Sequence, residues 1–348
     1  MLNPKKVRVL VVDDSIMFRT VLSSRLGADS MLDIVGTASD ADDAMKKIEE
    51  LSPDVLTLDV EMPKMNGIQF LKKLMPIRPM PVVVVSSAPI SALDALDAGA
   101  VDFVKKPLVN SPEELTSFIR ELVVKIKIGS IAKVGQKSAA PTLTAMPKHN
   151  IAFTRSVDNM VIAIGASTGG TEAILEVVRD LPPTTPGIVI VQHMPAGFTK
   201  MYAERLDKHC KMQVKEAEDG DRVETGKIII GAGEFHLRLA KDARGYYVTS
   251  KRGDKVSGHC PSVDVLFDSV AETAKNRALG VILTGMGSDG AKGMLAMRKA
   301  GAYTIGQDKD SCIVYGMPMV AFNIGGVMKQ APLTEIDNEI ERHLNSLK

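Results

Sequence analysis

The chain has 348 residues, more than one typical domain needs, so two domains are expected. Hydrophobic residues make up 45% and charged residues 24%, and the formal net charge is +1, which describes a folded soluble protein and leaves no electrostatic case for nucleic-acid binding. No apolar run approaches the roughly 18 to 20 residues of a membrane span, and the opening "MLNPKKVRVLVVDDS" meets acid too early for a signal peptide, so neither membrane insertion nor export is expected.

Along residues 7 to 125, strand and helix signals alternate. "VRVLVVD", "LDIVGTA", "PDVLTLDV", "MPVVVVSS" and "AVDFVKKP" are short β-rich runs with helical stretches between them. Such βα alternation predicts a parallel sheet covered by helices on both faces. The last helix of this half starts at Ser111-Pro112-Glu113-Glu114, a cap followed by a first-turn proline and acids, and is expected to end near Lys127.

Acids gather where these strands end. Asp13 and Asp14 close the first run and Asp59 closes the third, while Ser87 ends the fourth and Lys106 the fifth. In an open parallel sheet, ligands bind beyond the carboxyl ends of the strands. Three carboxylates converging there repel one another unless a hard cation joins them, and Mg²⁺ with its oxygen ligands suits that need. A lysine beside them can pair with a phosphoryl group. The constellation therefore points to phosphate transfer onto an aspartate, with a metal shielding the charges. Any one of these acids alone would mean little, but five matched positions at strand ends are hard to obtain by chance.

These residues resemble the receiver domain of two-component response regulators. The resemblance implies a doubly wound, five-stranded, flavodoxin-like domain over residues 5–127. It also implies Mg²⁺ held by Asp13, Asp14 and Asp59, and phosphorylation of Asp59. Ser87, Phe103 and Lys106 would form the switch that reads the phosphate. That family often carries a cis bond before the proline, here Lys106-Pro107.

From residue 128 to 155 the texture changes to Gly, Ser, Ala, Pro and Lys without strong periodicity, which reads as a flexible basic linker. A second α/β pattern begins at Met160. Its strand candidates are "VIAIGAS", "PGIVIVQHM", "KIIIGAG", "GYYVTS", "LGVILTGM" and "YTIGQD", with helices near 171–179, 198–208, 262–275 and 290–300. "KIIIGAGEFHLRLAKDARGYYVTS" reads as hairpin-type strands inserted in the βα series.

"IGASTGG" contains the G-x-S-x-G of Gly165 to Gly169. A P-loop needs a following Lys-Ser or Lys-Thr, and a dinucleotide fingerprint needs a third-position glycine and a later acid; both are missing. A nucleophile needs a base and an orienter. His193 ends the next strand and Asp289 lies in the Gly-rich loop of "GVILTGMGSDG". Ser167 would attack a carbonyl, His193 would carry the proton, and Asp289 would hold the imidazole. A helix starting near Gly169-Gly170 would add backbone N–H groups for the oxyanion. The order Ser, His, Asp differs from the Ser, acid, His of α/β-hydrolases, so the shared motif does not assign that fold. A receiver fused to a non-catalytic module with Ser167 in an anion-binding turn is a rival reading. A DNA-binding output domain is another, disfavoured by the charge and by the absence of a helix-turn-helix signal.

Cysteine usage is sparse. Cys210, Cys260 and Cys312 fit a reduced, cytoplasmic compartment. His209-Cys210 and His259-Cys260 are metal-ligand candidates. Adjacent residues on a strand point to opposite faces, however, and no C-x-x-C or H-x-x-x-H spacing supports zinc. His149, His209 and His343 are expected to be solvated.

"IGASTGG", "VQHMP", "HCPSVDVLF", "GVILTGMGSDGAKGM" and "GMP" are similar to the catalytic domain of the chemotaxis methylesterase CheB family. Across both halves the resemblance covers nearly the entire chain. It implies a mainly parallel α/β catalytic domain over residues 156–348 with Ser167, His193 and Asp289 as triad. Met286 would be a backbone oxyanion donor and Thr168 would line the site, with no cofactor there. It further implies hydrolysis of glutamate methyl esters, releasing methanol, and deamidation of certain glutamines on methyl-accepting chemotaxis receptors. A chemotaxis histidine kinase would be the phosphodonor. Because a phospho-switch precedes a hydrolase across a linker, the unphosphorylated receiver is expected to cover the esterase site.

Overall fold

The computed structural model describes residues 5–87, 89–107, 111–134 and 159–347. Two compact units divide the chain, one within residues 1–144 and one within 145–348.

In the first unit β1 (Val7–Val12), β2 (Leu32–Ala38), β3 (Val55–Asp59), β4 (Val82–Ser86) and β5 (Asp102–Lys105) form one parallel sheet in the order β2-β1-β3-β4-β5. Between them run α1 (Ile16–Leu26), α2 (Ala41–Leu51), α3 (Gly67–Ile77) and α4 (Pro89–Asp97), and α5 (Pro112–Gly129) closes the unit. This is the expected doubly wound sheet. Its central strands are mainly apolar because both faces are covered: all of Val82–Ser86 is buried. One face packs Val9, Val11, Val55, Val83 and Val104 against Phe18 and Leu22 of α1 and Phe118, Leu122 and Ile126 of α5.

Helix α5 begins as expected, with Ser111 Oγ accepting from the Glu114 amide at 3.2 Å and Pro112 in the first turn. It continues two residues past Lys127, because Ile128 is buried and still contributes to the core. Residues 135–155 of the expected linker lie outside the described residues. Among the described residues the cis peptide bond is Cys260–Pro261, so the expectation of a cis bond at Lys106-Pro107 is not met; no contact in the structure explains that choice of isomer.

The second unit is built on β6 (Val161–Ala166), β7 (Gly187–Gln192), β8 (Gln213–Glu216), β9 (Lys227–Ile230), β12 (Ala278–Ile282), β13 (Tyr303–Gln307) and β14 (Lys329–Ala331). They form a seven-stranded parallel sheet in the order β14-β13-β12-β6-β7-β9-β8. Its helices are α6 (Gly170–Val178), α7 (Phe198–His209), α8 (Val263–Thr273), α9 (Ala291–Lys299), α10 (Met317–Asn323) and α11 (Ile336–Ser346). From β6 the chain first winds outward through β7, β9 and β8. It then returns to the other side of β6 through β12, β13 and β14. The strand order therefore reverses at β6, and a crevice opens there beyond the carboxyl ends of the strands.

The inserted hairpin is β10 (Phe235–Asp242) with β11 (Gly245–Arg252), an antiparallel pair outside the main sheet. The run "KIII", read together with these strands in the sequence, instead belongs to the parallel sheet as β9. The hairpin turns Leu237, Leu239, Tyr246 and Val248 into the core shared with Leu266, Phe267 and Val270 of α8. Two polar ties fix its height on that helix: the Leu239 amide donates to Ser269 Oγ at 2.9 Å, and Thr273 Oγ1 donates to the Leu239 carbonyl at 3.2 Å. Burying each such apolar side chain contributes about 1.5–3 kcal/mol. The hairpin thus holds α8 in place, and the N-terminus of α8 enters the crevice.

Candidate active site and acidic pocket

Ser167, His193 and Asp289 follow three neighbouring strands, β6, β7 and β12. Ala166 and Gln192 are register partners, so Ser167 and His193 are the next residues on adjacent strand ends. The His193 amide donates to the Ala166 carbonyl at 3.1 Å. Ser167 is held by its backbone on both sides. Its amide donates to the Thr284 carbonyl at 3.0 Å, and its carbonyl accepts from Gln192 Nε2 at 2.9 Å and from the Gly170 amide at 2.7 Å. Gly169 then takes a left-handed conformation, φ +76°, to start α6. A Cβ there would sit 2.8 Å from Ile313 in a backbone region that side chains avoid, which is why this corner needs glycine.

His193 is 7% exposed by its side chain, and its Nε2 lies 2.8 Å from Asp289 Oδ2. Asp289 is 2% exposed. Burial works against its charge, but the bond from His193 and those from the Asp264 amide and Ser262 hydroxyl outweigh it and hold the carboxyl below its ordinary range. Ser262 Oγ donates to Oδ1 at 2.8 Å, the Val263 amide to Oδ2 at 2.8 Å and the Asp264 amide to Oδ1 at 3.0 Å. Ser262 caps α8, so Asp289 sits on the positive end of that helix. An ionised carboxylate only accepts hydrogen bonds, so Nε2 carries the proton and Nδ1 of the neutral ring is the basic nitrogen. Nδ1 is buried and makes no hydrogen bond, to Ser167 Oγ or to any other described group. Such a contact often forms only when substrate binds.

The loop after β12 passes directly over the serine. A Cβ on Gly285 would lie 2.7 Å from Ser167 Cβ. The Gly285 carbonyl accepts from the amides of Gly316 and Met317, and its amide donates to Val314, so the loop is fixed from both ends. Met286 follows, 42% exposed, and its amide makes no hydrogen bond among the described residues. Thr168 is buried, with its carbonyl accepting from Thr284 Oγ1 at 3.0 Å.

Three residues escaped the reading of the sequence. Ser262 anchors Asp289. Gln192 donates through Nε2 to the carbonyls of both Ser167 and His193. The His259 ring stacks on His193 with centroids 3.6 Å apart and planes 8° from parallel. The only available signal was for Ser262, whose "SVD" before an apolar run reads as a helix start. His259 and Cys260, expected as possible ligands, are separated in use: His259 is in this stack, and burial pushes the Cys260 thiol up, away from the thiolate that metals bind. Cys210 behaves likewise, burial pushing it up to about 11.

In the first unit three acids converge at the strand ends. The nearest carboxylate oxygens of Asp13, Asp14 and Asp59 lie within 4.8 Å of one another. Asp13 and Asp59 are 1% and 2% exposed, and Asp14 is exposed. Lys106 Nζ bridges Asp13 Oδ2 at 2.8 Å and Asp59 Oδ2 at 2.5 Å. Burial pushes the Asp13 carboxyl up to about 6; Lys106 opposes this and the neighbouring Asp59 adds to it. Burial alone would lower Lys106, but its bonds to Asp13 and Asp59 raise it. Ser87 donates to Glu61 Oε1 at 3.1 Å. Phe103 is buried, with Lys125 Nζ 5.2 Å from its ring centroid.

Comparison with known proteins agrees with this architecture. Residues 9–120 match the response regulator receiver domain model and residues 162–340 match the CheB methylesterase model. A protein-glutamate methylesterase/protein-glutamine glutaminase 2 of Syntrophomonas wolfei is 52% identical, covering 99% of each chain. A protein-glutamate methylesterase/protein-glutamine glutaminase of Salmonella typhimurium is 46% identical, covering 96% of each. The crystal structure of the Thermotoga maritima CheB methylesterase catalytic domain superposes with a TM-score of 0.52 at 38% identity, covering 53% of this chain and 98% of that one. A receiver unit followed by a parallel-sheet esterase unit is the class these findings define. The chain belongs to the CheB methylesterase family. Among the described residues, no helix is long and apolar enough to cross a membrane.

Proposed function

We propose that this chain is a phosphorylation-regulated protein-glutamate methylesterase and protein-glutamine glutaminase acting on methyl-accepting chemotaxis receptors in the cytoplasm, as part of chemotactic adaptation. Residues 5–127 are the receiver, 128–155 the linker and 156–348 the catalytic domain. The observation that carries the catalytic reading is the His193–Asp289 pair, 2.8 Å apart and buried, at the strand end beside the Ser167 turn.

Ser167 Oγ attacks the ester carbonyl and passes its proton to His193 Nδ1. Asp289 stabilises the imidazolium through Nε2. The oxyanion takes the Met286 amide, which has no other partner among the described residues, in a loop held rigid through Gly285. Methanol leaves with the proton from Nδ1. Water then attacks the acyl-serine, with His193 again as base, and the glutamate side chain is released. With a glutamine substrate the leaving group is ammonia and the steps are the same.

Asp13, Asp14 and Asp59 suit a hard cation: three carboxylates converge, and burial, with Asp59 beside it, pushes Asp13 towards its neutral form despite Lys106. These residues would hold Mg²⁺, which supplies charge shielding for phosphoryl transfer onto Asp59. Lys106 pairs with the incoming phosphoryl group, and Ser87 and Phe103 read its presence. A histidine kinase of the chemotaxis system is the phosphodonor.

The test is methanol release from methylated receptor membranes by the full chain and by Ser167→Ala. Loss of release by roughly a million-fold, to background, is expected. Undiminished release would end the nucleophile assignment.

A further inference from the structure

We propose that His259 is a positioning residue for hydrolysis, presenting the face of its ring to His193 so that His193 is favoured in the protonated form it reaches during reaction. This rests on the reading of His193 as the base.

The stack itself carries the argument. Neutral aromatic rings prefer offset or edge-to-face contacts with centroids roughly 4.5–7 Å apart. The two imidazoles are instead nearly superposed, 3.6 Å apart and 8° from parallel. That arrangement is poor for two neutral rings and repulsive for two cations. It is favourable when one ring is a cation over the π-face of the other. His193 becomes such a cation when it accepts the serine proton. The contact is therefore stronger in the transition state than in the resting enzyme, which is the condition for accelerating a reaction.

The two supports of His193 are complementary. Asp289 meets the ring at its edge through Nε2, and His259 meets its face. An edge contact alone leaves the ring free to swing about that bond; the flat contact fixes its plane, and with it the direction of Nδ1. One short segment serves both supports. His259 exchanges backbone bonds with Val256, 3.0 Å each way. Three residues later Ser262 donates to Asp289. The segment that orients the carboxylate thus also orients the ring.

The full chain is compared with His259→Ala, His259→Gln, His259→Phe and Ser167→Ala by methanol release from methylated receptor membranes in the presence of a small acyl-phosphate donor. Thermal melts report folding. His259→Ala and His259→Gln are expected to lower kcat about ten-fold with KM within about two-fold, and His259→Phe to recover kcat to within about three-fold of the parent. An unchanged kcat in His259→Ala overturns the proposal. So does a Phe variant no better than Gln, since both fill the space and only Phe keeps a ring; this comparison decides even if the Ala variant does not fold. A loss confined to KM also overturns it, by placing His259 against substrate. If Ser167→Ala keeps its activity, the catalytic reading itself falls. If Ser167→Ala is inactive while His259→Ala is at full rate, only the present inference falls.

Discussion

Asp13 and Asp289 are both buried carboxylates beyond the strand ends of a parallel sheet, yet they lie on opposite sides of the ordinary carboxylate range. Burial and the neighbouring Asp59 push Asp13 up to about 6 despite the Lys106 contact. His193, two backbone amides and the Ser262 hydroxyl pull Asp289 down. The difference lies in what surrounds each carboxylate. Asp13 faces Asp59 as well as Lys106 and the Ser15 amide, and these donors do not offset its burial. Asp289 faces donors supplied by the protein and keeps its charge unaided. One carboxylate is held towards its neutral form, and the other towards its charged form.

The largest expected effect follows from the Asp289 side. Asp289→Asn removes the charge that fixes the His193 tautomer, and kcat should fall by on the order of ten-thousand-fold with the fold retained. Methanol-release kinetics and a thermal melt check both parts. Asp59→Asn addresses the other pocket: an acyl-phosphate donor should no longer raise the esterase rate, while the resting rate persists. Ser262→Ala takes one donor from a buried carboxylate and the cap from α8 together, so the melt should report a loss of about 1–3 kcal/mol and kcat should drop by roughly ten-fold.

The smallest effect concerns pH. The folded-state value of Asp13 lies above its ordinary 3.8, so its contribution favours folding below about pH 4 and is lost as pH rises towards about 6. Mg²⁺ should therefore stabilise the chain increasingly between pH 4 and 7, read as a metal-dependent shift in melting temperature. Asp13→Asn should melt slightly higher than the parent without metal near pH 7 and respond less to Mg²⁺. A Mg²⁺ response equal at pH 4 and 7 would count against the charge argument.

The contrast between the pockets also explains what the sequence made legible. Asp13, Asp59, Ser167 and His193 stand at or just past the ends of apolar strands, and parallel sheets collect such positions into one place, so periodicity alone located them. Asp289 was legible because its glycine-rich loop follows another such strand. Ser262 and His259 were not, since their roles depend on where α8 enters the crevice. That in turn depends on how the hairpin Phe235–Arg252 packs against that helix. Nor did the short edge strands β8 and β14 stand out: four and three residues are too few to show a period. The misreading that joined "KIII" to the hairpin arose because a buried parallel strand and a hairpin strand share the same β-branched composition.

The central claim is that Ser167 is the nucleophile and that His193, held by Asp289, is its base. Peptide mapping by mass spectrometry after reaction of the full chain with a fluorophosphonate tests it directly. The account predicts a single adduct on Ser167, formed at least a hundred-fold more slowly in His193→Ala and Asp289→Asn. An adduct on another residue, or labelling of Ser167 at the parent rate in both variants, would contradict it.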